Sequence, residues 1–72
     1  MKLPRDVSGK DVVKILCKNG WKCYKQKGSH MHLINETKQI LQVPMHDCLK
    51  PGTLSSIIER SGIPKDDFLA QL

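Results

Sequence analysis

The sequence predicts an α+β fold of the order α-β-β-β-α: a three-stranded antiparallel sheet with its helices on one face and a short extra C-terminal helix. Three patterns carry that expectation. Val12, Ile15 and Leu16 recur at helical spacing early in the chain, and Leu54, Ile57 and Ile58 do so late. Between them, two segments alternate apolar and polar residues with period two. The breaks between strands, a turn at Gly28 and a polar stretch over residues 35–38, are short enough for antiparallel neighbours.

Residues 1–7 form a short lead-in. Ser8 is a candidate helix N-cap, with Asp11 three residues on to complete an approximate capping box. Val12, Ile15 and Leu16 give the first helix its apolar face, while Lys10, Lys14 and Lys18 line a different, solvated face. Asn19-Gly20 ends the helix. Residues 21–27 read as the first strand, with Trp21 and Cys23 on one side and Tyr24 on the other; Trp21 is expected to anchor the core where helix meets sheet. Residues 30–34 and 39–44 are the second and third strands. Met31, Leu33, Leu41 and Val43 should pack under the helices, which turns His30 and His32 to the open face.

After a loop over residues 45–50 holding His46, Asp47 and Cys48, Pro51 suits the first turn of a helix and Gly62 its end. Pro64 opens a last helical turn, with Asp66 and Asp67 near its positive end. Phe68, Leu69 and Leu72 are expected to close the base of the core.

A chain of 72 residues fits one domain, residues 1–72, with a small core. A buried pocket between domains is excluded, and a shallow surface site is the expectation. Twelve Lys and Arg against seven Asp and Glu give a net charge of +5, which favours an anionic partner such as nucleic acid. The three cysteines, at 17, 23 and 48, contain no CxxC pair and are odd in number. That argues against a secreted disulfide scaffold, fits a cytoplasmic location, and leaves the thiols as packing residues. No apolar run reaches the ~20 residues of a membrane span, and the N-terminal residues lack the apolar run of a signal peptide.

The chemistry concentrates between Lys25 and His32. Gly28 supplies a positive-φ turn, so backbone N–H groups and the Ser29 hydroxyl can approach a ligand closely. Lys25 and Lys27 add positive charge, and His30 adds a group that titrates near neutral pH. Close backbone, cations and imidazole together suit a phosphodiester. A competing zinc reading would gather His30, His32, His46 and Cys48, but their spacings match no standard zinc pattern, so no metal and no cofactor is expected.

Beyond these local signals, a series of short motifs runs through almost the whole chain: Asn19-Gly20-Trp21, Gln26-Lys27-Gly28-Ser29-His30, Val43-Pro44-Met45-His46, Pro51-Gly52-Thr53-Leu54 with Ile57, and Ser61-Gly62-Ile63. In this order and spacing they resemble the HicA (YcfA-like) toxins of toxin–antitoxin systems. The resemblance implies a fold like the double-stranded-RNA-binding domain, an mRNA interferase activity, and inhibition by a HicB-type antitoxin. It marks the histidine of the Gly-Ser-His motif, here His30, as catalytic. Trp21 stands where many members carry Phe, and Lys25 where many carry Arg, which costs a bidentate phosphate clamp. His32 is not carried over from the family.

Joined to that resemblance, the residue chemistry gives His30 one of the two proton transfers of metal-free RNA cleavage. Lys25, Lys27 and the N–H groups of Gly28 and Ser29 would stabilise the phosphorane, with Ser29 orienting the phosphate. His32, two residues along one strand face, is the nearest candidate for the second transfer. The alternative is a non-catalytic RNA-binding module of the same fold. Against it, such modules carry a lysine cluster opening the last long helix, and Lys50-Pro51-Gly52-Thr53 has one lysine. A third reading is a degenerate family member that only pairs with a partner protein.

Overall fold

The computed structural model describes residues 7–72, so all of the expected lead-in but Val7 lies outside the described residues. The elements are α1 (Gly9–Lys18), β1 (Lys22–Lys27), β2 (His30–Ile34), β3 (Ile40–Pro44), α2 (Pro51–Ser61) and α3 (Lys65–Ala70). The three strands pair antiparallel in the order β1-β2-β3. This is the predicted α-β-β-β-α order with the short final helix.

Helix α1 begins as its sequence dictates. Asp11 N donates to Ser8 Oγ at 3.2 Å and Ser8 N donates back to Asp11 Oδ2 at 3.3 Å, closing a full capping box. Val7 and Val12 stand at the N′ and N4 positions, and both are buried, the arrangement of a hydrophobic staple. At the other end Asn19 is the C-cap and Gly20 has φ +94°. Trp21 N then donates to Leu16 O at 3.0 Å, the outer bond of a Schellman motif, and both side chains enter the core. Trp21 thus anchors the helix–sheet junction as expected, just ahead of β1 rather than within it. Its indole N–H donates to Ser61 O at 3.3 Å, which ties the junction to the end of α2.

The core faces follow the period-two reading. Leu33, Leu41 and Val43 are buried, and Met31 packs against them half-buried. Leu54, Ile57, Ile58 and Phe68 cover them from the helical side. Three expectations change. Leu72 is 45% exposed and does not close the core; Phe68 does, with Leu69 at its margin. Val7 and Leu49, read as lead-in and loop, are core residues. The cysteines are all exposed rather than packed. The β2–β3 loop turns through Lys38 at φ +64°, a position that usually takes glycine, because Asn35 organises it. Asn35 Oδ1 accepts from Gln39 N at 2.8 Å and from Thr37 Oγ1 at 2.9 Å.

The connection from β3 to α2 is pinned by backbone bonds. Gly9 N donates to His46 O at 2.9 Å, Leu49 N to Val7 O at 2.8 Å, and Met45 N to Ser29 O at 2.6 Å. Gly9 sits directly on this connection. A Cβ there would overlap the Pro44 carbonyl oxygen and reach within 2.8 Å of Met45 Cα. Both atoms are backbone, so neither can swing aside. Gly9→Ala is therefore expected to destabilise the fold by about 2–3 kcal/mol, within the range for overpacking. Thermal unfolding followed by circular dichroism should show a Tm about 10 °C or more lower; an unchanged Tm would show that α1 can lift off the connection at no cost.

Candidate functional site

The site is built on the β1–β2 hairpin. Its turn is Gly28-Ser29, closed by the pair Lys27↔His30. Gly28 has φ +59°, the left-handed conformation that a two-residue hairpin turn demands and that glycine adopts without steric cost. Gln26 Nε2 donates to Gly28 O at 3.2 Å and holds the turn from the β1 side. Met45 N, bonded to Ser29 O, holds it from the end of β3.

An irregularity in β1 decides which side chains share the histidine face. Simple alternation from Trp21 and Cys23 would send Lys25 and Lys27 to the helix side with them. The register instead shifts between Cys23 and Lys25, with Tyr24 as the extra residue of a β-bulge. Beyond the bulge Lys25 lies opposite His32 and Lys27 opposite His30. Directly opposed residues of an antiparallel pair project to the same face. One inserted residue therefore moves both lysines to the open face. Tyr24 is on that face too, its ring edge-on to His32 with centroids 6.2 Å apart and planes at 77°, a favourable geometry for aromatic rings.

His30 is exposed and His32 half-buried. With Lys27 and Gln42 they line a shallow cleft of about 360 Å³ on the sheet face. Gln42 is the β3 partner of His32 and completes the row. Of the predicted site residues the cleft gathers Lys27, His30 and His32. Lys25, Gly28 and Ser29 adjoin it through register and turn without lining it. Gln42 was not singled out from sequence, yet it had a signal, as the polar residue between Leu41 and Val43 on an otherwise apolar strand. Among the described residues no three His, Cys, Asp or Glu side chains come together in a way that could hold a metal ion. No helix among them is long and apolar enough to cross a membrane.

The helix side of β1 holds a second contact. Cys23 Sγ lies 3.9 Å from Cys17 Sγ at the end of α1. The Cys23 thiol is pushed above its ordinary pKa, first by partial burial and then by the hydrogen bond and charge of Cys17.

A family model described as the HicA toxin of bacterial toxin-antitoxin systems matches residues 9–63, from the first residue of α1 to just past α2. No curated protein matches the chain significantly.

The thiol pair gives a chemical check on the α1–β1 junction. Removing Cys17 as Cys17→Ala takes away two of the three causes that raise Cys23, so its thiolate fraction at pH 8 rises. Alkylation of Cys23 by iodoacetamide, followed by mass spectrometry, should accelerate roughly twofold or more. An unchanged rate would mean the two sulfurs do not meet in solution.

Proposed function

The chain belongs to the HicA toxin family, and from that premise we propose that it is a metal-independent endoribonuclease that cleaves mRNA and is restrained by a HicB-type antitoxin. The observation that carries the reading is the cleft in which His30, His32 and Lys27 share one sheet face beside a tight Gly28-Ser29 turn. A cation, two imidazoles and close backbone are the groups that phosphodiester transesterification requires.

In the proposed reaction the 2′-hydroxyl oxygen attacks the adjacent phosphorus. The P–O2′ bond forms, the P–O5′ bond breaks, and the products are a 2′,3′-cyclic phosphate and a 5′-hydroxyl. One group accepts the 2′-proton and another donates a proton to the leaving O5′. His30 performs one transfer, because an imidazole can act as either a proton acceptor or a proton donor. His32 is the second candidate, two residues along the same strand and opposite Lys25. Lys25 and Lys27 stabilise the equatorial oxygens of the phosphorane, with the N–H groups of Gly28 and Ser29 close to the same charge. Ser29 orients the phosphate. The antitoxin would cover this basic face with acidic groups, in the cytoplasm where mRNA is found, and the single domain would need no further partner to cleave.

A positioned proton-transfer group contributes about 10²–10⁴-fold to rate. His30→Ala should therefore abolish detectable RNA cleavage, and His32→Ala should cost about tenfold if it only assists. His30 is exposed, so its loss should leave the Tm nearly unchanged. A folded His30→Ala protein that still cleaves RNA at a near-normal rate refutes the assignment, and a dead His32→Ala beside a live His30→Ala transfers the role to His32. RNA binding with no cleavage by the unaltered chain would favour the non-catalytic module. Cleavage should also persist in EDTA; loss on chelation with recovery on adding zinc would replace proton transfer by metal chemistry.

A further inference from the structure

A groove of about 760 Å³ lies between the edge strand β3 and helix α2. Helix α2 turns a polar stripe toward it. Lys50, Thr53, Ser56 and Arg60 recur at helical spacing and all line the groove. Among the described residues no carboxylate lines it. The one acidic residue of α2, Glu59, lines a different groove on the far side, against α3. The helix thus sorts its charge, with Lys50 and Arg60 toward β3 and its carboxylate away.

The groove is continuous with the candidate site. His30 and Gln42 line both the groove and the sheet-face cleft. His30 pairs with Pro44, the residue from which the chain turns toward Lys50, so Lys50 marks the near end. Ser61 O receives the Trp21 indole at the opposite end of the sheet, which places neighbouring Arg60 at the far end. The ten steps from Lys50 to Arg60 span about 15 Å along a helix, the length of a few nucleotides.

We propose that the groove between β3 and α2 is the path of the single-stranded RNA on one side of the scissile phosphate. The strand crosses His30 from the sheet-face cleft, passes Gln42, and lays its backbone against Lys50 and then Arg60. This rests on the reading of RNA as substrate and adds where its flanking nucleotides lie. Single-stranded RNA fits better than an acidic protein segment. The lining joins the cations Lys50 and Arg60 to the apolar side chains of Ile40, Leu41, Pro44 and Ile57, so charge can track the phosphates while bases and riboses lie on the apolar surface, as in a single-strand groove. The groove also runs directly into the residue assigned to cleavage.

The test measures binding separately from cleavage. A 12-nucleotide 2′-O-methyl RNA cannot undergo the 2′-attack, and its affinity is read by fluorescence anisotropy at several salt concentrations. The Lys50→Ala/Arg60→Ala double variant should bind it about tenfold or more weakly. Its log–log salt slope should be shallower by about 1.4, two contacts at ~0.7 each for a single strand. Lys10→Ala/Lys14→Ala on the α1 stripe, which removes the same charge, should leave both quantities close to the unaltered protein. A glutamate-rich peptide of equal charge should not discriminate between the two variants. Equal losses of RNA binding in both variants would reduce the groove to generic charge. A loss of peptide but not RNA binding at Lys50 and Arg60 would assign the groove to a protein. No RNA binding by the unaltered protein would remove the path altogether. In cleavage assays the Lys50/Arg60 variant should lose kcat/KM about tenfold on a long RNA and keep its rate on a dinucleoside phosphate that reaches only His30. Groove-dependent binding without any cleavage would leave the path standing and sink the ribonuclease reading alone.

Discussion

The contact between Gly9 and the backbone of Pro44 and Met45 governs how the rest of the molecule fits together. It lets the first turn of α1 lie flat on the connection from β3 to α2, close enough for Gly9 N to bond His46 O and for Leu49 N to bond Val7 O. The same connection reaches across to the β1–β2 turn through Met45 N and Ser29 O. One line of backbone hydrogen bonds therefore runs from the start of α1, through the end of β3, to the residue before His30. The hairpin turn that carries the candidate chemistry is an exposed tip held from beneath by main chain, which fixes position more tightly than a long side chain would. In a chain with so small a core, this economy matters: the site is located by structure that the fold already requires.

A second constraint concerns charge. The bulge at Tyr24 gathers Lys25, Lys27, His30 and His32 on a single face. Cations side by side repel one another, and a fold of this size gains nothing in stability from concentrating them. The arrangement becomes favourable when an anion lies across it. RNA phosphates and the acidic groups of an antitoxin would meet that requirement in the same way, so one surface can serve both the proposed substrate and the proposed inhibitor. The polar stripe of α2 extends the same logic past the sheet edge, with Glu59 kept on the opposite side of the helix.

Much of this was legible in the chain. The capping box at Ser8 and Asp11, the stop at Asn19-Gly20, the Gly28 turn and the Pro51–Gly62 bracket are local signals, each fixed by steric or hydrogen-bonding needs of a few adjacent residues. Period two placed Leu33, Leu41 and Val43 in the core and His30 and His32 outside it. What alternation missed depends on contacts between distant segments. Val7 and Leu49 are drawn into the core by each other's backbone and by α1. Gly9 reads as an ordinary helical residue until β3 arrives beside it. Leu72 is apolar enough for the core, but the short α3 spends its one inward position on Phe68. The cysteines have the polarity of packing residues, yet their elements leave them at the surface. The bulge has no marker in the sequence, and without it the two lysines would face the helices. Gln42, Lys50 and Arg60 each sat on a readable face, but only the closeness of β3 and α2 joins them to His30.

The most direct test of the central claim, that this surface cleaves RNA by 2′-hydroxyl attack without metal, is the chemistry of the product ends. Mass spectrometry of a short RNA after digestion distinguishes the possibilities without reference to rate. The account predicts upstream fragments ending in a 2′,3′-cyclic phosphate and downstream fragments beginning with a 5′-hydroxyl. Downstream fragments carrying a 5′-phosphate, with a free 3′-hydroxyl upstream, would mean that water rather than the 2′-oxygen attacks, and would contradict the roles given to His30 and its neighbours.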